Sequence, residues 1–293
     1  MQIPILFVPQ LQNFCNSDDC ALTTSHCLFL LGVIDLFGTA GGLIEFKASL
    51  LASHGLATLS LAYFAYDDLP KYLPYCEFEY FEEAANWFVK HPAVMSHGIG
   101  VMGVSKGAEI ALMMAVHRSD IVKAIVPIST SLVISASPFK LSGQLTGVYF
   151  DTTGAKMTAD GAFSFCGCLP VQGLDKLDPS AIIPVEKIDC PIMLICGEDD
   201  EGVLASEMAH EILKRMTLNG KSALCSVLSY PGTGHLIEPP FAPHCYVSYH
   251  KTFKTIFAWG GNPKDHSRAQ EDSWQKILQF FRTNLGHSHV SHL

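Results

Sequence analysis

The chain has 293 residues, of which 48% are hydrophobic and 16% are charged, and its formal net charge is −9 at pH 7. This composition excludes a largely disordered chain, and a negative charge without any basic block argues against nucleic acid as a partner. The longest uninterrupted apolar run, Cys27 to Ile34, is far shorter than the ~20 residues of a membrane-spanning helix. No Lys or Arg precedes Lys47, so the basic start of a secretory signal is missing, and we expect a soluble intracellular protein.

Strand-like and helix-like segments alternate from Leu28 onward. The predicted strands are Leu28 to Leu36, Ala57 to Tyr63, Ile99 to Val104, Ile121 to Ile128, Pro191 to Cys196 and, as the last strand, Leu224 to Ser229. The predicted helices are Leu43 to Ser53, Phe78 to His91, Ala108 to His117, Ser206 to Leu218 and Ala269 to Leu285. Such alternation predicts an α/β fold with a mostly parallel central sheet and helices on both faces.

Other stretches of the chain break this alternation. Residues 1–27 show no clear period, and residues 287–293 form a polar tail. Residues 129–184 are rich in Gly, Ser, Thr and Pro, with only short strand-like pieces such as Leu145 to Phe150. Because this segment is too long for a plain connection, we predict a cap-like insertion over a functional site, within a catalytic domain that spans 28–286.

The ten cysteines are scattered along the chain, and the nearest pair is Cys166 and Cys168. A zinc site usually needs paired ligands at regular spacing, so we predict no metal site. Instead we expect buried, reduced thiols, such as Cys190 and Cys196 beside a predicted strand.

One motif indicates a catalytic residue when its position between a strand and a helix is considered. Gly103-Val104-Ser105-Lys106-Gly107 joins a predicted strand to a predicted helix, which is the setting of the nucleophile elbow of α/β hydrolases. The pentapeptide alone is a weak signal, but here the serine lies at a helix N-terminus, where free N–H groups favour a developing negative charge. The sequence therefore predicts Ser105 as the nucleophile.

An elbow serine needs a general base, and the base needs a carboxylate to orient it, in the chain order Ser, acid, His. The strand that ends at Cys196 runs into Glu198, Asp199 and Asp200, and either aspartate could be the acid, with Asp200 preferred. His235 lies in a glycine loop after the last predicted strand and is the predicted base. We expect the other histidines, among them His210, His244 and His266, to be surface residues or local caps.

The oxyanion hole should be formed by backbone N–H groups near Ser105. The residue after the nucleophile, Lys106, is expected to supply one N–H, and Gly38 or Thr39 in the loop after the first strand the other. The glycines of that loop could equally serve only to permit a tight turn, and both roles can hold at once. The loop does not match the dinucleotide-binding pattern G-x-G-x-x-G.

Six segments together carry a family resemblance: Gly32 to Gly42, Tyr80 to Ala84, Gly103 to Glu109, Ile183 to Glu186, Tyr230 to Pro240 and Trp259 to Gly261. They resemble the acyl-CoA thioesterase and bile acid-CoA:amino acid N-acyltransferase family over nearly all of the chain. The resemblance implies an α/β-hydrolase domain acting on acyl-CoA thioesters, with Ser105, Asp200 and His235 as its triad. It implies no separate cofactor, since coenzyme A is part of the substrate.

The sequence departs from the family in two respects. Full-length members carry an N-terminal β-sandwich domain, whereas residues 1–27 do not resemble one, as in a shortened isoform or an incomplete gene model. The bile acid-conjugating branch has cysteine at the elbow, whereas this chain has Ser105. A serine ester is less activated toward amines than a cysteine thioester, so serine favours water as the acyl acceptor.

These observations leave three hypotheses for the function. The first is hydrolysis of acyl-CoA to free fatty acid and CoA through an acyl-enzyme. The second is transfer of the acyl group to an amino acid by the same triad. The third is a truncated, catalytically inactive paralogue that binds acyl-CoA without turnover. Lys71 and Lys106 are candidate contacts for the phosphates of CoA, and either could equally be a solvated lysine.

The C-terminal residues Ser291, His292 and Leu293 are close to the Ser-Lys-Leu peroxisomal signal. We therefore expect a peroxisomal import receptor as a partner, with a cytoplasmic location as the alternative. Histidine is only partly charged near neutral pH, which should weaken the signal relative to lysine. A weak metal-binding tail or a featureless solvated tail are the other interpretations of these histidines.

Overall fold

The computed structural model describes residues 5–8, 29–149, 152–169 and 174–286. In chain order its strands are Ile5–Val8 (β1), Leu30–Leu36 (β2), Ala57–Leu61 (β3), Cys76–Glu77 (β4), Val94–Val104 (β5), Val122–Ile128 (β6), Phe139–Leu141 (β7), Gln144–Thr146 (β8), Lys156–Met157 (β9), Phe163–Ser164 (β10), Ile192–Gly197 (β11), Cys225–Tyr230 (β12), Val247–His250 (β13) and Thr255–Ala258 (β14). The helices of eight residues or more are Phe46–Ser53 (α1), Phe78–Val89 (α2), Lys106–His117 (α3), Ala205–Leu218 (α4) and Pro263–Gly286 (α5).

The central sheet has the strand order β1-β3-β2-β5-β6-β11-β12. All neighbouring pairs are parallel except β1 and β3, which are antiparallel. The inner strands are buried on both faces, as expected for parallel strands that are covered by helices. The predicted α/β hydrolase fold is confirmed by this architecture.

Two hydrophobic clusters cover the two faces of the sheet. Side chains of α2, α3 and α4 pack on one face, together with apolar residues of the 129–184 segment. Leu51 of α1 and the apolar side of α5, which includes Trp274 and Phe281, pack on the other face. Helix α3 is buried over almost its whole length, because it leaves the sheet directly beneath the 129–184 segment.

The predicted strands and helices of the central fold are present, with shifted ends. Helix α1 begins at Phe46 rather than Leu43, and α5 begins at Pro263 rather than Ala269. The earlier start of α5 has a local cause, since the Asn262 side chain accepts a hydrogen bond from the N–H of Asp265 at 3.1 Å, and proline is well suited to a first helical position. The prediction that β12 is the last strand was wrong, because β13 and β14 follow it.

The 129–184 segment contributes to two small sheets whose other strands come from elsewhere in the chain. One has the order β4-β7-β8, and the other has the order β13-β14-β10-β9. The segment is anchored by Leu132, Val133 and Ile134, which are buried in the larger cluster. It lies beside the carboxyl edge of the central sheet, since its residues Ser131 and Phe165 line a cavity together with Ser105, which follows β5.

Within the described ranges, none of the helices combines the length and apolar character that crossing a bilayer requires. The predicted signal at Ser291 to Leu293 lies outside the described residues.

Candidate active site

Ser105 lies at the turn between β5 and α3, and its backbone is strained. Its φ of 56° and ψ of −121° fall in a region that L-residues rarely occupy. The turn requires close backbone contacts on both sides of the serine. A Cβ atom on Gly103 would lie 2.1 Å from the carbonyl oxygen of Gly107, and one on Gly107 would lie 2.5 Å from that of Leu36. Only glycine fits at these two positions, and the turn has the geometry expected of a nucleophile elbow.

His235 and Asp200 form a buried hydrogen-bonded pair. The Nδ1 atom of His235 lies 2.8 Å and 3.0 Å from the two carboxylate oxygens of Asp200. The same carboxylate accepts hydrogen bonds from the N–H groups of Gly202, at 2.8 Å, and Val203, at 3.0 Å. Asp199, the alternative acid, is exposed at the adjoining position. These contacts fix the carboxylate of Asp200 against Nδ1 of His235. The second ring nitrogen, Nε2, lies on the opposite side of the imidazole from Asp200.

The loop that carries His235 is fixed by contacts from three elements. Its ring stacks on Trp259 with centroids 5.3 Å apart, and its backbone carbonyl accepts a hydrogen bond from the Ser129 hydroxyl at 2.7 Å. On the neighbouring residues, the N–H of Gly234 donates to Nδ1 of His266, and Nε2 of His266 lies 2.9 Å from the carbonyl oxygen of Leu236. The expectation that His266 is a surface residue or a local cap was wrong, because its ring is buried under this loop and is hydrogen-bonded to it.

The loop after β2 lies against Ser105. A Cβ atom on Gly38 would be 3.0 Å from Cβ of Ser105, so the two backbones approach closely. The Thr39 hydroxyl lies 3.1 Å from Nε2 of His250, and the Thr39 carbonyl accepts a hydrogen bond from the Thr252 hydroxyl at 2.8 Å. The structure thus places Gly38 and Thr39, two of the predicted oxyanion residues, beside the nucleophile.

Two cavities meet at the elbow. The larger has a volume of about 290 Å³, and the smaller has a volume of about 50 Å³. Thr39, Ser105, His235 and Trp259 line both of them. The larger cavity also has an apolar wall that includes Phe37, Ile44 and Leu236. Ser105 and His235 therefore lie at the boundary between the two cavities.

The Lys106 side chain is part of the protein interior. Its ammonium lies 2.6 Å from the Glu109 carboxylate and donates to the carbonyl oxygens of Ser135, at 3.0 Å, and Ser137, at 2.6 Å. It also lies 4.5 Å from the centre of the Phe139 ring. The interpretation of Lys106 as a contact for CoA phosphates or a solvated lysine was therefore wrong. The burial of the side chain does not affect the prediction for the backbone, because the N–H of Lys106 still directly follows Ser105, as an oxyanion donor would.

A second buried group of charges lies behind the site. Asp35 in β2 is buried, and desolvation raises the pKa of its carboxyl to about 6, although nearby Lys47 lowers it. The Lys47 ammonium lies 3.5 Å from the carboxylate of Glu238, three residues after His235. This ion pair ties α1 to the loop that carries the histidine.

The sequence did not reveal several residues of the site. His250 ends β13 and Thr252 follows it, and the alternation of apolar and polar residues from Val247 to His250 is a signal that could have indicated this strand. Among the described residues, no cluster of three or more His, Cys, Asp or Glu side chains is arranged to hold a metal ion. The described cysteines, which include the buried Cys190 and Cys196, are free thiols, as expected.

The central sheet, its covering helices and the strand-turn-helix at Ser105 define the α/β-hydrolase fold. Residues 76–287 match the family described as "BAAT / Acyl-CoA thioester hydrolase C terminal", and the chain belongs to this family. The resemblance found in the sequence is therefore confirmed.

Curated relatives carry two kinds of name. The chain is 43% identical over 255 residues to acyl-coenzyme A amino acid N-acyltransferase 2 of Rattus norvegicus. It is 38% identical over 258 residues to acyl-coenzyme A thioesterase 1 of Homo sapiens. Each match covers 87% of this chain and 60% of the relative, so the chain spans about three fifths of the length of these proteins.

Solved structures show the same fold at low sequence identity. The Pyrococcus furiosus esterase Pf2001 superimposes with a TM-score of 0.52 at 18% identity, covering 89% of this chain and 85% of its own. DcsB, in complex with a substrate analogue, gives a TM-score of 0.54 at 15% identity, covering 88% of this chain and 92% of its own.

Proposed function

We propose that the chain hydrolyses acyl-CoA thioesters to free fatty acid and CoA. The observation that carries the proposal is the placement of Ser105 on a strained elbow. There it shares two cavities with His235, whose Nδ1 is bonded to the buried carboxylate of Asp200. The family supports acyl-CoA as the substrate class.

In the proposed mechanism the Ser105 hydroxyl attacks the thioester carbonyl, and His235 takes its proton at Nε2. Asp200 holds the imidazole in the tautomer with the proton on Nδ1, and stabilises the imidazolium that forms. The N–H of Lys106 and an N–H of Gly38 or Thr39 stabilise the oxyanion. CoA leaves as the thiol with the proton from His235, and a water activated by the same histidine then hydrolyses the acyl-enzyme. CoA is part of the substrate, so the reaction needs no separate cofactor.

The chain offers a direct test of this mechanism. Wild type should release thiol from an acyl-CoA chain-length series, and Ser105→Ala should lose the activity by at least ~10³-fold. Ser119→Ala, which alters an exposed serine, is the matched control and should be unchanged. Thiol release that persists in Ser105→Ala would refute the proposal.

Transfer of the acyl group to an amino acid is the second candidate function. It is favoured by the 43% identity to a protein named as an acyl-CoA amino acid N-acyltransferase. Glycine and taurine added to the same assay distinguish the two candidates, because an amide product formed faster than free acid would establish transfer. A fluorophosphonate probe distinguishes both enzymatic functions from the hypothesis of an inactive paralogue. An active enzyme should be labelled at Ser105, and a folded inactive protein should not be labelled.

A further inference from the structure

We propose that the buried hydroxyl of Tyr63 is a positioning group that orients the backbone amides of the oxyanion hole. Tyr63 follows β3 and lies beneath the loop after β2. Its single O–H is shared between two acceptors, the carbonyl oxygens of Phe37, at 2.8 Å, and Gly38, at 2.9 Å. The proposal rests on the acyl-transfer chemistry proposed for Ser105.

The geometry of the peptide group connects these two carbonyls to the candidate oxyanion donors. In a planar trans peptide the C=O of one residue and the N–H of the next point in opposite directions. The Phe37 carbonyl therefore sets the direction of the Gly38 N–H, and the Gly38 carbonyl sets that of the Thr39 N–H. Because one hydroxyl holds both carbonyls, both N–H groups are turned to the side of the loop away from Tyr63.

The loop is held from its other side as well. Nε2 of His250 lies 3.1 Å from the Thr39 hydroxyl, and the Thr252 hydroxyl donates to the Thr39 carbonyl. The His250 ring packs among Phe253, Phe257 and Trp259. Thr39 is therefore fixed at its side chain and at its carbonyl, while Tyr63 fixes the peptide that carries its N–H.

Tyr63 is well suited to this role because it remains a neutral donor. Burial raises the pKa of its hydroxyl well above the usual range of tyrosine. Its ring is held by edge contact with Phe81, at 5.6 Å between centroids, and by Phe64, at 5.4 Å. A rigid donor of this kind keeps the amides pre-oriented, so they need no reorganisation when charge develops on the substrate oxygen.

Tyr63→Phe removes the hydroxyl and keeps the ring, and Tyr80→Phe is a matched control. Tyr80 is also buried, also packs on Phe81, and donates to a single carbonyl, that of Ala62, at 2.5 Å. Removal of one oxyanion donor costs about 10²- to 10³-fold in kcat, so misorientation of two donors should cost about 10- to 100-fold. We expect this loss in kcat for Tyr63→Phe, with KM within about twofold, and no change beyond about twofold for Tyr80→Phe.

The rate of fluorophosphonate labelling at Ser105 is the second readout, because it requires the same oxyanion donors but no acyl-CoA. Parallel losses in labelling and in kcat for Tyr63→Phe alone would support the proposal. Wild-type kcat and labelling in a folded Tyr63→Phe, or equal losses in both variants, would overturn it. If Tyr63→Phe does not fold, 4-fluorophenylalanine at position 63 replaces it, because this side chain fills the space of the hydroxyl but cannot donate a hydrogen bond. A wild-type labelling rate in that folded variant would overturn the proposal.

Failure of the proposed function gives a different result. A wild-type protein that is labelled but does not release CoA would refute thioester hydrolysis, and the labelling comparison would still test Tyr63.

Discussion

Removal of the ammonium from the buried pair of Lys106 and Glu109 should be among the most destabilising single substitutions in the protein. Both side chains are almost fully buried, and their charged atoms lie 2.6 Å apart. Lys106→Met keeps the apolar stem of the side chain but removes the ammonium. The Glu109 carboxylate is then left without its cation, and the carbonyls of Ser135 and Ser137 lose their donor. Breaking a buried pair in this way costs about 3–5 kcal/mol, so we expect a loss of that size in the free energy of unfolding.

The loss expected for Lys106→Met is large relative to the ~5–15 kcal/mol by which a typical domain is stable. Two features place it in this range. Burial raises the pKa of the Glu109 carboxyl and opposes its ionisation, so the carboxylate depends on the nearby ammonium. The hydroxyl and N–H of Ser135 also donate to Glu109, so the pair links α3 to the 129–184 segment. Loss of the ammonium should therefore weaken the attachment of that segment as well.

Urea unfolding of purified variants measures this effect. Lys214→Met is the matched control, because Lys214 and Glu211 form an ion pair with the same three-residue spacing on the exposed face of α4, at 3.0 Å. Exposed pairs contribute about 0–1 kcal/mol, and we expect no larger loss there. The double variant Lys106→Met/Glu109→Met should lose less than the sum of its single variants. A loss below about 1 kcal/mol for Lys106→Met, with additive effects, would refute the reasoning.

Three further predictions follow from the site. Burial raises the pKa of Asp35 to about 6, so the folded state holds this proton more tightly than the unfolded chain. Asp35→Asn should therefore raise the free energy of unfolding by up to ~3 kcal/mol at pH 7, and this gain should vanish near pH 4. Urea titrations at the two pH values measure the effect, and a lower free energy of unfolding at both would contradict the prediction. The His266 ring accepts one hydrogen bond and donates another, which only the neutral imidazole can do. Burial lowers the pKa of His266 in the folded state, so the histidine of the unfolded chain is protonated at a higher pH and acid favours unfolding. Stability should fall below about pH 6.5 more steeply in wild type than in His266→Gln, and equal slopes would count against it. Gly103→Ala should abolish fluorophosphonate labelling of Ser105, because the added Cβ would overlap the Gly107 carbonyl. Labelling at the wild-type rate would contradict this prediction, since it would show that the elbow tolerates a side chain at position 103.

The central sheet could be predicted from the sequence because its inner strands are buried on both faces. Such strands are recognisable as apolar runs, and the run before Ser105 placed the elbow motif at a strand end. Asp200 and His235 followed from the same logic, since each comes directly after a strand of the sheet. Their hydrogen bond requires that the two strands before them, β11 and β12, are neighbours in the sheet, as they are.

The remainder of the site could not be predicted, because it depends on contacts between distant parts of the chain. Tyr63 and Gly38 are 25 residues apart, and His250 and Thr39 are 211 residues apart, with no local pattern to connect them. The strands β7 to β10 have only two or three residues each, too few for a period of alternation. Lys106 looks like a surface lysine in the sequence, because its burial depends on carbonyl groups supplied by the 129–184 segment.

The central claim is that Ser105 carries the acyl group during turnover. Rapid-quench mass spectrometry with a long-chain acyl-CoA tests it most directly. We predict one acyl group on the peptide that contains Ser105, formed in step with CoA release, lost as free fatty acid appears, and absent in Ser105→Ala. Release of CoA without acylation of Ser105, or acylation of another residue that persists in Ser105→Ala, would contradict the account.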